Sequence, residues 1–225
     1  MPLRLAYELG RTAPAVHPEP TLRDFFARMK YCVRGLITAR LTQEWFGLLN
    51  AAHLEELVRE HPHILSKLQR PYLHRRLNSR GRLAVLRAHY RFVAGQSRVA
   101  LMKRVYSLHG CVISNLPGQS VDALQLRLFY DCRYEKEGEM SLGLFHANGT
   151  TPLFALSFCV NRFEDDLPLE MFIGGLQGHI TEEHKQLVID LTRAMHGLRP
   201  KALLAFAVQR LAQLWNIRIR IANPG

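Results

Sequence analysis

The sequence predicts an α+β protein: a helical N-terminal half, then an antiparallel β meander with two helices and a final strand. Three observations carry this. Apolar residues recur at three- and four-residue spacing up to about Tyr106 and alternate after Gly118. Turn dipeptides, Glu137-Gly138 and Asn148-Gly149, punctuate the alternating part. Charge divides along the same line. Residues 1–110 hold 19 Lys/Arg against 7 Asp/Glu, whereas residues 111–225 hold 11 against 12.

The elements follow in order. The first twenty residues carry four prolines, Glu8 and Glu19 but no apolar run, so no secretory signal is visible. From Thr21 the helical pattern runs through Phe25, Phe26, Met29, Val33, Leu36, Ile37 and Leu41, with Thr21 and Thr42 as expected N-caps and Pro62 and Pro71 as breaks. A last helix is expected from about Arg80 to Arg104, interrupted near Gly95. About four strands then follow. In the first, Leu124, Leu126 and Leu128 point one way and Gln125, Arg127 and Phe129 the other; the last ends in IGGLQG. Thr181 is placed to cap the helix TEEHKQLVIDLTRAMH. A second helix, apolar on nearly all sides and so expected to be buried, leads to the strand Ile217–Ile221. The reading gives a basic helical region, 1–118, and an α+β region, 119–225, as separate domains or one merged body.

At 225 residues, 48% hydrophobic and 22% charged, the composition is that of a globular protein with a real core. The longest uninterrupted apolar run, Ala202–Val208, is far too short to cross a bilayer. Cys32, Cys111, Cys132 and Cys159 are widely spaced and read as reduced cysteines of a cytoplasmic protein. The net charge of +11 lies entirely in the first half and favours an acidic partner: nucleic acid, an anionic membrane surface or a phosphorylated ligand.

Three stretches are candidate sites. In HGLRPK, Gly197 is a hinge and Pro200 fits a first helical position, so Arg199 and Lys201 stand where a helix already carries partial positive charge. Free N–H groups there, with His196 and the two cations, would bind an anion; the plainer reading is a solvated turn whose cations pair with carboxylates such as Asp190. In IGGLQGH, three glycines in five positions, beside Gln177 and ending at Gly178, permit close backbone approach to a ligand or make a β-bulge and turn. The spacing matches neither a dinucleotide fingerprint nor a P-loop.

The third stretch, LQRPYLHRRLNSRGRLAVLRAHYRF, packs Arg70, Arg75, Arg76, Arg80, Arg82, Arg87 and Arg91 among His74, His89, Tyr72, Tyr90 and Phe92. Such interleaving serves phosphate backbones with stacked bases, or anionic headgroups; the alternative is a solvated stripe. Arg80, Arg87 and Arg91 share a helical face. Without a zinc-finger or RNA-recognition signature, sequence-specific nucleic-acid reading is not expected. No metal site is expected either: there is no H-E-x-x-H, His61 and His63 flank a proline, and His179 and His184 are five apart.

The segments RPYL and RLAVLRAHYRF, the strand ending IGGLQG, and above all TRAMHGLRPKALLAFAVQRLAQLWNI together resemble the VirK/YbjX family of bacterial proteins. The shared positions are His89 and Tyr90, Gln177 and Gly178, and His196, Gly197, Arg199, Pro200 and Lys201. The resemblance implies a cytoplasmic Gram-negative protein associated with virulence, envelope integrity and tolerance of cationic antimicrobial peptides, with no catalytic residue to carry over. Members of that family continue for several tens of residues past the final strand. The ending IRIRIANPG therefore leads us to expect a truncated, frameshifted or cut chain, with an exposed edge if the missing part completes the sheet.

Two readings of function stand. One is an enzyme similar to acyl-CoA-dependent N-acyltransferases, in which Arg199, Lys201 and the backbone after Gly197 would cradle the CoA pyrophosphate and the general base is unidentified. The other is a non-enzymatic binder whose Arg-rich helices engage anionic lipid or nucleic acid.

Overall fold

Leu5, Leu9, Ala13 and Val16 recur at helical spacing and are buried along one side of α1 (Pro2–Val16). This helix is not apparent in the sequence, because the prolines mask the period and Pro14 lies within the helix itself. A computed structural model describes residues 2–50, 52–73, 77–95, 99–116, 123–162, 168–178 and 182–221. The chain forms two compact units, Met1–Val99 and Ala100–Gly225. Residues 100–116 fall in the unit that carries the sheet.

In the first unit α1 is followed by α2 (Leu22–Ile37), α3 (Ala39–Leu49), α4 (Ala52–Glu60), a 3-10 helix (Pro62–Gln69) and α5 (Ser79–Val93). Thr21 caps α2, its hydroxyl accepting from the Asp24 N–H at 3.2 Å, and Asn78 caps α5 by accepting from the Gly81 N–H at 2.9 Å. Thr42 is not a cap. It lies inside α3, buried, and its hydroxyl donates to the Gly35 carbonyl at 3.0 Å. Trp45 meets Tyr90 edge to face at 5.2 Å in the core of this unit.

The second unit is a six-stranded sheet in the order β1 (Cys111–Leu116), β2 (Leu124–Phe129), β3 (Met140–His146), β4 (Phe154–Asn161), β5 (Glu170–Gly178), β6 (Arg218–Ile221). Strands β1 to β5 form an antiparallel meander and β6 adds parallel to β5. The meander has one strand more than the sequence pattern gives, because β1 is exposed over its middle and does not alternate. Short α6 (Val99–Val105) precedes it, and α7 (Glu182–Ala194) and α8 (Pro200–Leu214) connect β5 to β6. The expected cap Thr181 lies outside the described residues.

Helix α8 is not buried on all sides. Pro200, Leu204, Val208 and Ala212 form its buried stripe, while Phe206 and Leu214 are exposed.

Two local devices fix the sheet. The Arg127 guanidinium, itself buried, donates to the carbonyls of Gly149 at 2.8 Å and Ala147 at 2.7 Å, so the β3–β4 hairpin is tied to β2. In the β4–β5 ladder, Ser157 pairs with Gly175 and Phe158 with Ile173, leaving Gly174 as a bulge. A side chain at Gly174 would overlap the Glu137 carbonyl, whereas one at Gly197 (φ 91°) meets nothing within 4 Å. Gly174→Ala is expected to destabilise the protein by about 3 kcal/mol or more, and Gly197→Ala by roughly 1 kcal/mol through backbone strain alone. Urea unfolding of both variants checks the difference.

His89 is fully buried, and burial, followed by the nearby Lys67 cation, pushes its pKa down from 6.5 to about 3. His63 is pushed down to about 4 by the same two causes in the same order. The unfolded chain takes up these protons near pH 6.5 and the folded chain does not. Their contribution to stability is full above pH 6.5, falls as the pH drops, and is lost once the folded pKa values are passed. Denaturation midpoints measured from pH 7 to 4 are expected to fall, and less steeply in His89→Gln.

Candidate functional site

The HGLRPK turn joins α7 to α8. His196 (φ 52°) and Gly197 both adopt left-handed backbone and close α7. The Gly197 N–H bonds the Thr192 carbonyl at 2.7 Å and the His196 N–H that of Arg193 at 3.0 Å. The Leu198 N–H is bonded to the Met195 carbonyl at 3.0 Å. The backbone expected to cradle an anion after Gly197 is thus partly committed to capping α7.

What remains is the start of α8. Arg199 is its N-cap without a side-chain cap bond, Pro200 is buried at the first position, and the first turn holds no acid. The Lys201 and Ala202 N–H groups have no acceptor within the helix, and the side chains of Arg199 and Lys201 are exposed. Asp190 does not neutralise them among the described residues; it pairs with Arg193 at 3.8 Å and accepts from Gln186 at 3.0 Å.

Gln177 and Gly178 end β5. Because β5 and β6 are parallel and α8 returns the chain between them, the start of α8 stands at the end of the sheet where β5 finishes. The two motifs are brought to the same end of the sheet, yet no hydrogen bond or ion pair links them among the described residues. The Gln177 amide instead donates to the Glu137 carboxylate in the β2–β3 connection. The close approach permitted by Gly174 and Gly175 is likewise taken up by Glu137.

Beside α8 an apolar cavity of about 260 Å³ opens over the sheet, lined by Ile113, Leu126 and Leu142 with Leu203, Phe206 and Leu214. It was not legible in sequence because it needs β1, which shows no alternation.

The basic segment divides by role. Arg82 is spent internally, donating to the carbonyls of Leu77 at 3.1 Å, Leu68 at 3.1 Å and Arg70 at 2.8 Å, and burial lowers its pKa. Arg70 is half-buried, and His74, Arg75 and Arg76 lie outside the described residues. Arg80 and Arg91 are exposed and Arg87 half-exposed. Arg80 lines a groove of about 530 Å³ with Ile37, Arg40 and Glu44; Arg87 and Arg91 line one of about 360 Å³ with Glu44 and Leu48. Glu44, common to both grooves, is held by Arg40 at 3.4 Å. The motif pair His89 and Tyr90 is fully buried and belongs to the core of the first unit.

Among the described residues no group of three or more His, Cys, Asp or Glu is arranged to hold a metal ion, and no helix is long and apolar enough to cross a membrane. His179 and the side chain of His184 fall outside the described positions.

A family model described as "Protein of unknown function (DUF535)" matches residues 20–222. The chain is 32% identical over 200 residues to "Uncharacterized protein YbjX" of Escherichia coli (strain K12), covering 87% of this chain and 58% of that protein. It thus spans a little over half the length of that relative. No solved structure matches the chain. On the residues matched and this identity, the chain belongs to the VirK/YbjX (DUF535) family of proteins of unknown function.

Proposed function

We propose that the protein is a peripheral binder whose basic N-terminal unit docks on a phosphate-bearing anionic surface, with Arg80, Arg87 and Arg91 of α5 as the contact row. The observation that carries this is the arrangement of the row. At 100° per residue the three arginines fall within about 40° of arc, they line two open grooves that share Glu44, and that acid is already engaged by Arg40. Arginine is suited to this work because its planar fork grips phosphate oxygens in pairs. A cationic protein that covers anionic headgroups fits the association with envelope integrity and peptide tolerance that the family resemblance implies.

Each basic residue at a charged lipid surface is worth about 1 kcal/mol. Arg87→Gln with Arg91→Gln is therefore expected to weaken binding to anionic vesicles roughly thirtyfold and to flatten its dependence on salt. Co-sedimentation at 50, 150 and 300 mM salt measures both. Equal binding by wild type and variant at every salt concentration would remove the row from the interface.

A second reading rests on the start of α8. Its uncapped first turn, the exposed Arg199 and Lys201, and the neighbouring apolar cavity offer a phosphate site beside a place for an acyl chain, as acyl-CoA binding requires. Saturable thermal stabilisation by an acyl-CoA, lost in Arg199→Ala plus Lys201→Ala, is the expected outcome. No shift with any chain length would dismiss it.

A further inference from the structure

Helix α2 is turned the opposite way from an ordinary surface helix. Phe25, Phe26, Met29, Val33, Leu36 and Ile37 are between 42% and 77% exposed, and Leu22 at the start of the helix is 79% exposed. At 100° per residue these positions occupy one arc of about 120°, running the roughly 24 Å length of the helix. The inward face carries Ala27, Arg28, Tyr31 and Gly35, and no large aliphatic side chain. Soluble domains rarely leave a continuous apolar stripe of this kind in water without a use for it.

The outward setting is built in. Gly35 allows Leu9 of α1 to approach so closely that a methyl group there would lie 2.7 Å from it. The Tyr31 hydroxyl, buried, shares a hydrogen bond of 3.0 Å with Thr12. Arg28 donates to the His17 carbonyl at 2.9 Å and the Glu19 carbonyl at 3.2 Å. All three lie on the face opposite the stripe, so rotating the helix inward would break each of them.

The charge around the stripe identifies what covers it. Arg23, Lys30 and Arg34 are exposed and form a row along one edge, at about 80–120° from its centre. The only acid in α2, Asp24, accepts from the Glu19 N–H at 3.0 Å instead of facing the stripe. At its far end the stripe continues into the basic face: Ile37 and Arg80 line the same groove. A second copy paired antiparallel about a twofold axis would set these cation rows against each other. An apolar face edged along its helix by cations, with Glu44 of the far groove already paired to Arg40, is the pattern of a helix lying in the headgroup layer of an anionic bilayer.

We infer that α2 is the membrane-seating element of this protein: its apolar stripe enters the outer acyl region of an anionic bilayer while Arg23, Lys30 and Arg34 hold the phosphates beside it. This rests on the proposed anionic-surface binding and names the surface as a lipid bilayer.

The test uses the full chain and vesicles of phosphatidylcholine with 30% phosphatidylglycerol, beside pure phosphatidylcholine vesicles. Phe26→Gln with Val33→Gln is expected to lower partitioning at 150 mM salt by roughly tenfold or more, with an unchanged melting curve. Phe26→Leu with Val33→Leu should retain it. If Arg87→Gln plus Arg91→Gln weakens binding while the Phe26/Val33 pair does not, the anionic-surface reading stands and α2 is not the seating element. If neither pair has an effect, both proposals fail. A lipid-free dimer that dissociates in the Phe26/Val33 variant would assign the stripe to a second copy. Wild-type binding to single-stranded DNA, but not to vesicles, would assign the basic face to nucleic acid; either result overturns the bilayer proposal.

Discussion

The contact between α1 and α2 governs the first unit. Leu9 reaches the backbone of Gly35, Tyr31 is paired with Thr12, and Arg28 ties the helix to the turn at His17 and Glu19. Burial pushes the Tyr31 pKa up to about 12, so its hydroxyl stays protonated and the bond persists through the physiological range. Once these bonds fix the rotation of α2, the direction of its seven large apolar side chains is decided. Hydrophobic burial alone would choose the opposite rotation. The fold forgoes that burial, which is the kind of local conflict expected at a functional surface.

The second unit is organised around its buried central strands. Every residue of β4 is buried, and β2 and β3 are nearly so, with aromatic residues Phe129, Tyr134 and Phe145 gathered around Ala155. Arg127 satisfies carbonyls of the β3–β4 turn and lies 4.7 Å above the Phe145 ring, so a buried cation becomes a structural clamp. Gly174 and Gly175 make room for Glu137 in the same manner. What this unit leaves open lies at one end of the sheet: the first turn of α8 with Arg199 and Lys201.

Much of this architecture was legible from residue spacing. Alternation in LQLRLF assigns the two faces of β2 correctly, and the Asn148-Gly149 and Glu137-Gly138 turns fall between strands. What failed did so for identifiable reasons. Prolines hid α1; β1 does not alternate because its middle is exposed; and α8 appeared buried because seven consecutive apolar residues look alike when only four positions meet the sheet. Pattern also gave the period of α2 but not its direction, since the anchors that turn it outward, Gly35 and Arg28, find their partners on α1 and in the turn that follows it. The HGLRPK signature was located by its odd charge placement, yet its capping role depends on the backbone of His196 and Gly197. His89 and Tyr90, prominent as a motif, proved to be core residues.

The direction of α2 toward lipid can be measured directly. Nitroxide labels at positions 23, 26, 29, 30, 33 and 34, each in a chain with its native cysteines replaced, report oxygen and water exposure by electron paramagnetic resonance. With anionic vesicles, labels at 26, 29 and 33 are expected to become accessible to oxygen and shielded from a water-soluble nickel complex. Those at 23, 30 and 34 should remain at headgroup level. Uniform water exposure at all six positions, on protein shown to be vesicle-bound, would contradict the assignment of α2 as the membrane-seating element.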